Sequence, residues 1–211
     1  MVPAVGDHRF PAEPLAPAWI RGNLLPSLGL PSDSPLHFIG EKAVTASDLS
    51  SQQGRFFLPT GMRPRLVPLL STEERNAADL QPDKVPGAAG VGEEAATKKV
   101  PANRGGKEGA SVMLAARRGD GAGEDGFFEL KLKRWEASDG AVIKGKGYSE
   151  FFRGCGFRQG DAVEIWAFRR SPTVRLFGED LQLAVLPLNI VIAKRDDQRW
   201  QQVPAVTAPV T

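Results

Sequence analysis

The sequence predicts a mainly β domain carrying short helices, and three observations say so. Phe127 to Trp135 (FFELKLKRW) alternates with period two, so Phe128, Leu130 and Leu132 face a core while Lys131 and Lys133 project the other way. Phe127 to Phe168 packs strand, strand, helix and strand signals into one continuous unit. No pair of adjacent long amphipathic helices exists, which disfavours a helix-turn-helix reader.

Taken in chain order, Met1 to Leu36 is punctuated by Pro and Gly without a sustained period and is expected to be disordered or extended. Ser71 and Glu74 have capping-box spacing ahead of Arg75-Asn76-Ala77-Ala78, which predicts a helix of about two turns. Gln81 to Gly109 has almost no large apolar residue and is read as a long, unstructured loop insertion. Such an insertion is tolerable because closure cost rises by only about 0.6 kcal/mol per doubling of length. Gly121, Gly123 and Gly126 spell GxGxxG, but a strand follows where a dinucleotide fold needs a helix. Asp120, Glu124 and Asp125 would also repel phosphate, so the segment reads as a hairpin turn. After the strand at 127–135 comes the Asp139-Gly140 turn, then Ala141-Val142-Ile143 as a second strand. Tyr148 to Cys155 reads as a short helix stopped by Gly156, and Gly160-Asp161 as a turn into the strand Val163 to Phe168. Leu181 to Leu186 is expected to supply a closing strand, with Asn189 to Ala193 strand-like as well.

The 211 residues, 41% of them hydrophobic, suffice for one core. Cys155 is the only cysteine, which excludes an intramolecular disulfide framework and a cysteine-rich zinc site. No N-terminal basic segment precedes an apolar core, and Leu181 to Ala193 is too short and too interrupted to span a bilayer, so a soluble protein without a membrane partner is expected. Catalysis finds no foothold: His8 lies in the N-terminal segment, His37 is alone, and Cys155 sits at a helix C-terminus, the wrong end to lower a thiol pKa. The expectation is a protein that is not an enzyme and needs no cofactor or metal. The net charge of +2 is uninformative, but its distribution is not. Lys131, Lys133 and Arg134 close one strand, Lys144 and Lys146 follow the next, and Arg169 and Arg170 end a third; convergent, they would form a phosphate-binding rim.

The run W, S, AVIKGKGYSEFF, GFRQGDAVEIWAFR between Trp135 and Arg169 resembles the second half of the plant B3 DNA-binding domain. Upstream, Glu41 to Pro59 (EKAVTASDLSSQQGRFFLP) resembles its opening strand, the loop after it and an apolar strand ending in Pro. The two halves occur in the family's order and together cover about half of the chain. The resemblance implies an open, seven-stranded B3-type pseudobarrel with two short α-helices, and two loop arms that grip the major groove of double-stranded DNA. It divides the chain into a disordered segment (1–37), a B3-like domain (38–188) with a low-complexity insertion at about 80–110, and a C-terminal strand or tail (189–211).

Carried over residue by residue, the first arm matches Thr45 to Arg55, where Thr45, Ser47, Gln52, Gln53 and Arg55 are candidate DNA contacts. Gln can pair bidentately with adenine and Arg with guanine, each good pair worth about 1–3 kcal/mol of discrimination. Ser47-Asp48 reads equally well as a local turn cap. The second arm matches Arg134 to Gly140 and offers Lys133, Arg134, Ser138, Lys144 and Lys146. Trp135 is either a wedge on nucleic acid or an aromatic anchor for this arm, and the anchor is favoured; Trp166 and Phe168 read the same way. Two departures matter. Only Arg55 is cationic between Thr45 and Pro59, and Tyr148 stands where the family has Trp. The chain is most similar to the divergent, reproductive-meristem-like branch, for which the resemblance leaves both sequence-specific and nonspecific DNA binding open.

The function implied is nuclear transcriptional regulation in a plant, with other transcription factors or a second copy as further partners. The alternative is a degenerate B3 fold that serves as a protein-interaction module. Lys98-Lys99 with Arg104 and Lys107 reads as a nuclear-import signal or as solubilising loop charge.

Overall fold

The computed structural model describes residues 14–82, 108–117, 126–170, 173–176, 179–182 and 186–195. A π-helical turn, Ile20–Leu24, runs into α1 (Leu25–Ser27) and then β1 (His37–Ala43), α2 (Ala46–Leu49) and β2 (Arg55–Leu58). Next come α3 (Arg63–Leu66), flanked by 3-10 turns, and α4 (Thr72–Ala78). After them follow β3 (Ala110–Ala116), β4 (Gly126–Trp135), β5 (Gly140–Lys144), α5 (Tyr148–Gly154), β6 (Ala162–Phe168), β7 (Thr173–Leu176), β8 (Glu179–Gln182) and β9 (Leu188–Lys194). Seven of the strands form one open sheet in the order β1-β6-β9-β3-β4-β5-β2, mixed because β3 and β9 run parallel; β7 and β8 pair separately. This is the mainly β, open seven-stranded architecture that the sequence predicts, with α4 and α5 as its two seven-residue helices.

Period-two alternation sorts the strand residues into two apolar clusters. Val163, Ile165 and Ala167 of β6, Leu188, Ile190 and Ile192 of β9, Val112 and Leu114 of β3, and Leu130 and Leu132 of β4 line the interior. Trp166, Phe168, Val191, Ala193 and Ala115 point outward, where Ile20, Leu24 and Leu25 cover them. Because both faces of β6 and β9 are buried, their sequences read as near-continuous apolar runs. The cover overturns one expectation. Residues 14–36, assigned to a disordered segment, fold in part as a helical layer whose Ile20, Leu24 and Leu25 are fully buried, each side chain contributing about 1.5–3 kcal/mol. Pro26 sits at the helix start, where its missing N–H is harmless, so the residue that suggested disorder is compatible with a turn of helix.

Two further boundaries move. Of the closing strand expected at 181–186, residues 183–185 lie outside the described residues, while Leu181 and Gln182 belong to β8, which pairs with β7 in a separate two-stranded sheet. The strand that completes the sheet is β9, which lies between β6 and β3, so the domain extends past 188 to Lys194. The insertion at 83–107, with Lys98-Lys99, Arg104 and Lys107, lies outside the described residues, as do Gly121, Gly123 and the chain beyond 195.

Helices plug the two ends of the open barrel. The α3–α4 segment packs against β1, β3 and β4 at one end, while α2 and α5 pack against β2, β4 and each other at the other. Ser71 caps α4 through the reciprocal box predicted from its spacing, its hydroxyl accepting from Glu74 N–H while Glu74 accepts from Ser71 N–H. Arg169, just beyond β6, donates to the Leu69 and Leu186 carbonyls and pairs with Glu74, tying β6 to α4.

The edge strands β1 and β2 do not pair with each other; Asp48 bridges them. Its carboxylate accepts from Lys42 Nζ on β1 (2.8 Å), from Phe57 N–H on β2 (3.0 Å), and from the Thr45 N–H and hydroxyl (2.8 and 2.7 Å). Lys42 also donates to the Phe57 carbonyl at 2.8 Å, crossing the seam directly. Asp48 is fully buried and Lys42 nearly so, hence the pair is desolvated and hydrogen-bonded on all sides, the condition under which a buried ion pair holds. Tyr148, the first residue of α5, donates its hydroxyl to the Asp48 carbonyl at 2.6 Å.

Replacing Asp48 by Ala leaves Lys42 buried without its counter-charge, and the expected loss is about 3–5 kcal/mol in the denaturant-unfolding free energy. Burial, and secondarily the Asp48 charge, raises the Tyr148 pKa far above the phenol's ordinary value. With the folded pKa above the unfolded one, the stabilisation is complete below about pH 10 and is lost as pH rises beyond it. Since Tyr148 is the only tyrosine, tyrosinate ultraviolet absorbance should stay absent through about pH 10 and appear together with loss of the fold, in one step.

Candidate nucleic-acid interface

Phe127 of β4 packs against the N-terminal layer, and farther along the outward face of β4, β5 and β2 strand register arranges the side chains in rows. Arg55 of β2 lies opposite Lys144 of β5, which lies opposite Lys131 of β4. In the next row Phe57, Val142 and Lys133 are opposite one another, and beyond them Trp135 lies opposite Gly140. Three cations therefore stand side by side across three adjacent strands. Like charges directly opposite are destabilising, so the fold itself gives no reason for this row. Among the described residues, Arg55, Lys133, Lys144 and Lys146 have no carboxylate partner. Lys131 donates to Ser111 Oγ at 3.3 Å, and Ser111 in turn bonds Glu129.

Beside the cation row lies a groove of about 530 Å³, lined by Lys133, Arg134, Trp135, Val142 and Lys144 and, at the turn, by the carboxylate-bearing Glu136. Trp135 is half-buried, and the Arg55 guanidinium stacks on its ring 3.9 Å from the centroid. The anchoring expected of Trp135 thus takes an unexpected form: it holds the side chain of an interface cation rather than plugging into the core. Trp166 and Phe168 are true anchors, buried under the N-terminal layer. Gly140 is required by close approach, since a Cβ there would meet the Phe57 ring at 2.6 Å and the Leu58 carbonyl at 2.7 Å.

The loop between β1 and β2 borders this face at the Arg55 end. Thr45 caps α2 and its hydroxyl is held by Asp48 and Ser47, so the turn-capping reading of Ser47-Asp48 is the one the geometry bears out for Asp48. Gln52 and Gln53 are exposed at the loop tip, ahead of Gly54 with its left-handed φ of 50°. At the opposite end the β4–β5 turn, 136–139, is fixed from behind. Asp139, at φ 53°, accepts from Arg134 Nε at 2.8 Å and pairs with Arg63, while the Ser138 carbonyl accepts from Thr60 Oγ1 at 2.7 Å. Arg134 is therefore engaged with Asp139, whereas Ser138 is exposed on the turn. Lys146 is exposed beside Lys144, between Gly145 and Gly147.

The rim pictured from sequence is only partly assembled. Lys131, Lys133 and Lys144 share the face of Arg55, but Arg169 is tied to Leu69, Leu186 and Glu74 at the α4 end of β6 and does not join them. Sequence reasoning missed the apolar floor of Phe57 and Val142 and the Arg63 support, because both depend on which residues lie opposite each other. Among the described residues, no group of three His, Cys, Asp or Glu side chains comes together to hold a metal ion, and no helix is long and apolar enough to cross a membrane. The Arg55–Trp135 stack is measurable in isolation. A double-mutant cycle with Arg55→Ala and Trp135→Ala, read by denaturant unfolding, should return a coupling of about 0.5–1 kcal/mol.

Solved structures similar to this chain include two DNA complexes. The Arabidopsis FUS3-DNA complex is 17% identical, with a TM-score of 0.36, over 76% of this chain and 98% of that one. The complex of the Arabidopsis thaliana transcription factor LEC2 with DNA is 21% identical, with a TM-score of 0.33, over 64% of this chain and 85% of that one. No family model matches the chain, and no curated protein does.

Proposed function

We propose that this chain is a B3-type module that binds double-stranded DNA and acts in the nucleus as a transcriptional regulator, without chemistry of its own. The observation that carries the reading is the row Arg55, Lys144 and Lys131, three cations in direct cross-strand register with no carboxylate among them. A polyanion that lies across the row relieves the repulsion built into it, and each phosphate neutralised releases counterions.

The bordering loops supply the rest of the reading. The β1–β2 loop and the β4–β5 turn flank opposite ends of β2, whose four residues span about 10 Å, a separation suited to a major groove about 12 Å wide. In this arrangement Arg55, its plane fixed by Trp135, is the guanine reader, and Gln52 and Gln53 are the adenine-reading groups. Thr45 serves the loop rather than the bases. Lys133, Lys144 and Lys146 hold phosphates, Ser138 offers a neutral hydroxyl at the turn, and Arg134 acts through Asp139. With so few base-reading side chains, affinity depends mostly on salt and little on sequence.

The test is fluorescence anisotropy against a randomised duplex pool at two salt concentrations, followed by sequencing of the retained fraction. The wild-type chain should bind with a steep salt slope, and the triple variant Arg55→Ala, Lys144→Ala, Lys146→Ala should flatten that slope by about 0.9 for each phosphate contact removed. An unchanged slope removes the site assignment, and no retention at low salt moves the weight to a protein-interaction module.

A further inference from the structure

Phe57, Val142 and Trp135 belong to neither apolar cluster of the fold. Phe57 and Val142 point outward because their strand neighbours Phe56, Leu58, Ala141 and Ile143 fill the interior, and Trp135 does so by the parity that buries Leu130 and Leu132. Both rings are half-buried, and among the described residues neither touches another aromatic ring. Each meets a cation instead: Trp135 carries the Arg55 guanidinium, and Lys42 Nζ lies 5.8 Å from the Phe57 centroid on the Asp48 seam. The outward face of β2, β5 and β4 therefore holds an apolar, aromatic patch that no core needs.

Register separates this patch from the charges. Arg55, Lys144 and Lys131 stand abreast, and Phe57, Val142 and Lys133 stand abreast one pleat repeat away, about 7 Å, with Trp135 a further repeat along β4. Glu136, the carboxylate-bearing residue of the groove's lining, follows Trp135 at the turn, at the end remote from the cation row. A ligand that fits carries anions along one edge and flat apolar faces along the other. An extended peptide does not, because the residues on one of its sides form a single file. A duplex does not, because its base faces are stacked on each other and only edges and phosphates reach a protein. An unpaired nucleic-acid strand does: its phosphates follow the cations, and its bases stack on aromatic rings or on the plane of an arginine.

We propose that this face also binds single-stranded DNA, with phosphates on Lys144, Lys131 and Lys133 and bases stacked on Phe57 and on the Arg55–Trp135 pair. The proposal rests on the cation row as a phosphate site, which is part of the reading above, and adds a ligand that exposes base faces. Glu136 keeps phosphate away from the ring end of the groove, which fixes the side on which the bases lie. Every base has a π-face, so this recognition tolerates any sequence, and it calls for no contact to a 2′-hydroxyl.

The probe is fluorescein-labelled oligo(dT) of about 12 nucleotides, titrated by anisotropy with the full chain at low salt. An abasic single strand of the same length and a duplex are titrated beside it. The expected result is saturable binding of oligo(dT), roughly tenfold tighter than that of the abasic strand. Phe57→Leu keeps the apolar bulk and the backbone N–H bonded to Asp48 but removes the ring, and it should erase most of that margin. In the wild-type chain the Trp135 indole N–H resonance should move upfield along the oligo(dT) isotherm and not with the abasic strand, which keeps the test decisive if Phe57→Leu fails to fold. Equal affinity for the two single strands, an unmoved Trp135 resonance, or a duplex bound while oligo(dT) is ignored overturns this inference and leaves the cation row as a phosphate site. Absence of binding by all three probes overturns both readings.

Discussion

The Asp48 carboxylate sits where two strand edges that never pair would otherwise part. An open sheet has two such edges, and each presents unpaired backbone groups that invite water or another chain. Here one side chain answers both: it takes the Phe57 N–H of β2 and, through Lys42, fixes β1 to the Phe57 carbonyl. It also terminates the capping of α2, and its backbone carbonyl receives Tyr148 from α5. The β1–β2 loop that borders the cation row is thus framed by the same residue that closes the barrel. A carboxylate that the sequence left open between a turn cap and a DNA contact is the residue on which the loop's shape depends.

How much of this was legible in the sequence can be followed element by element. β4, β5, α5 and β6 stand close to where alternation, the Asp139-Gly140 turn and the Gly156 stop predicted them, because each carries its signal locally. The Ser71 cap was legible for the same reason. The N-terminal cover was not: Ile20, Leu24 and Leu25 gain their stability from Trp166, Phe168 and Val191, more than a hundred residues away, and show no periodicity of their own. The role of β9 was hidden similarly. Its residues looked strand-like, but only tertiary pairing decides which strand becomes central and which becomes a separate hairpin.

The site divides along the same line. Residue types could be listed from a motif, and Arg55 and Lys144 do stand opposite each other on neighbouring strands. Register could not be read, and register is what sets three cations abreast, gives Arg55 its aromatic shelf and puts Gly140 under the Phe57 ring. Conversely, Thr45, Arg134 and Arg169 have suitable chemistry but are engaged by Asp48, Asp139 and Glu74. Composition names the candidates, and the neighbours that a folded chain supplies decide which of them stay available.

The position of β9 has a temporal side. The sheet consists of a small half, β1 with β6, and a large half, β3 with β4, β5 and β2; β9 is hydrogen-bonded between them, and among the described strands of the sheet it is the last in the order of synthesis. Apart from β9, the two halves are linked by the Asp48 seam, by α3 on β1 and by Arg169 at the end of β6 held on Glu74 of α4. Completion of the sheet therefore waits for β9, whose partners lie 21–31 residues away on β6 and 76 residues away on β3, whereas the longest-range pairing, β1 with β6, spans 119–130 residues. For a growing chain, the interval before β9 pairs is the time of greatest exposure to wrong strand partners.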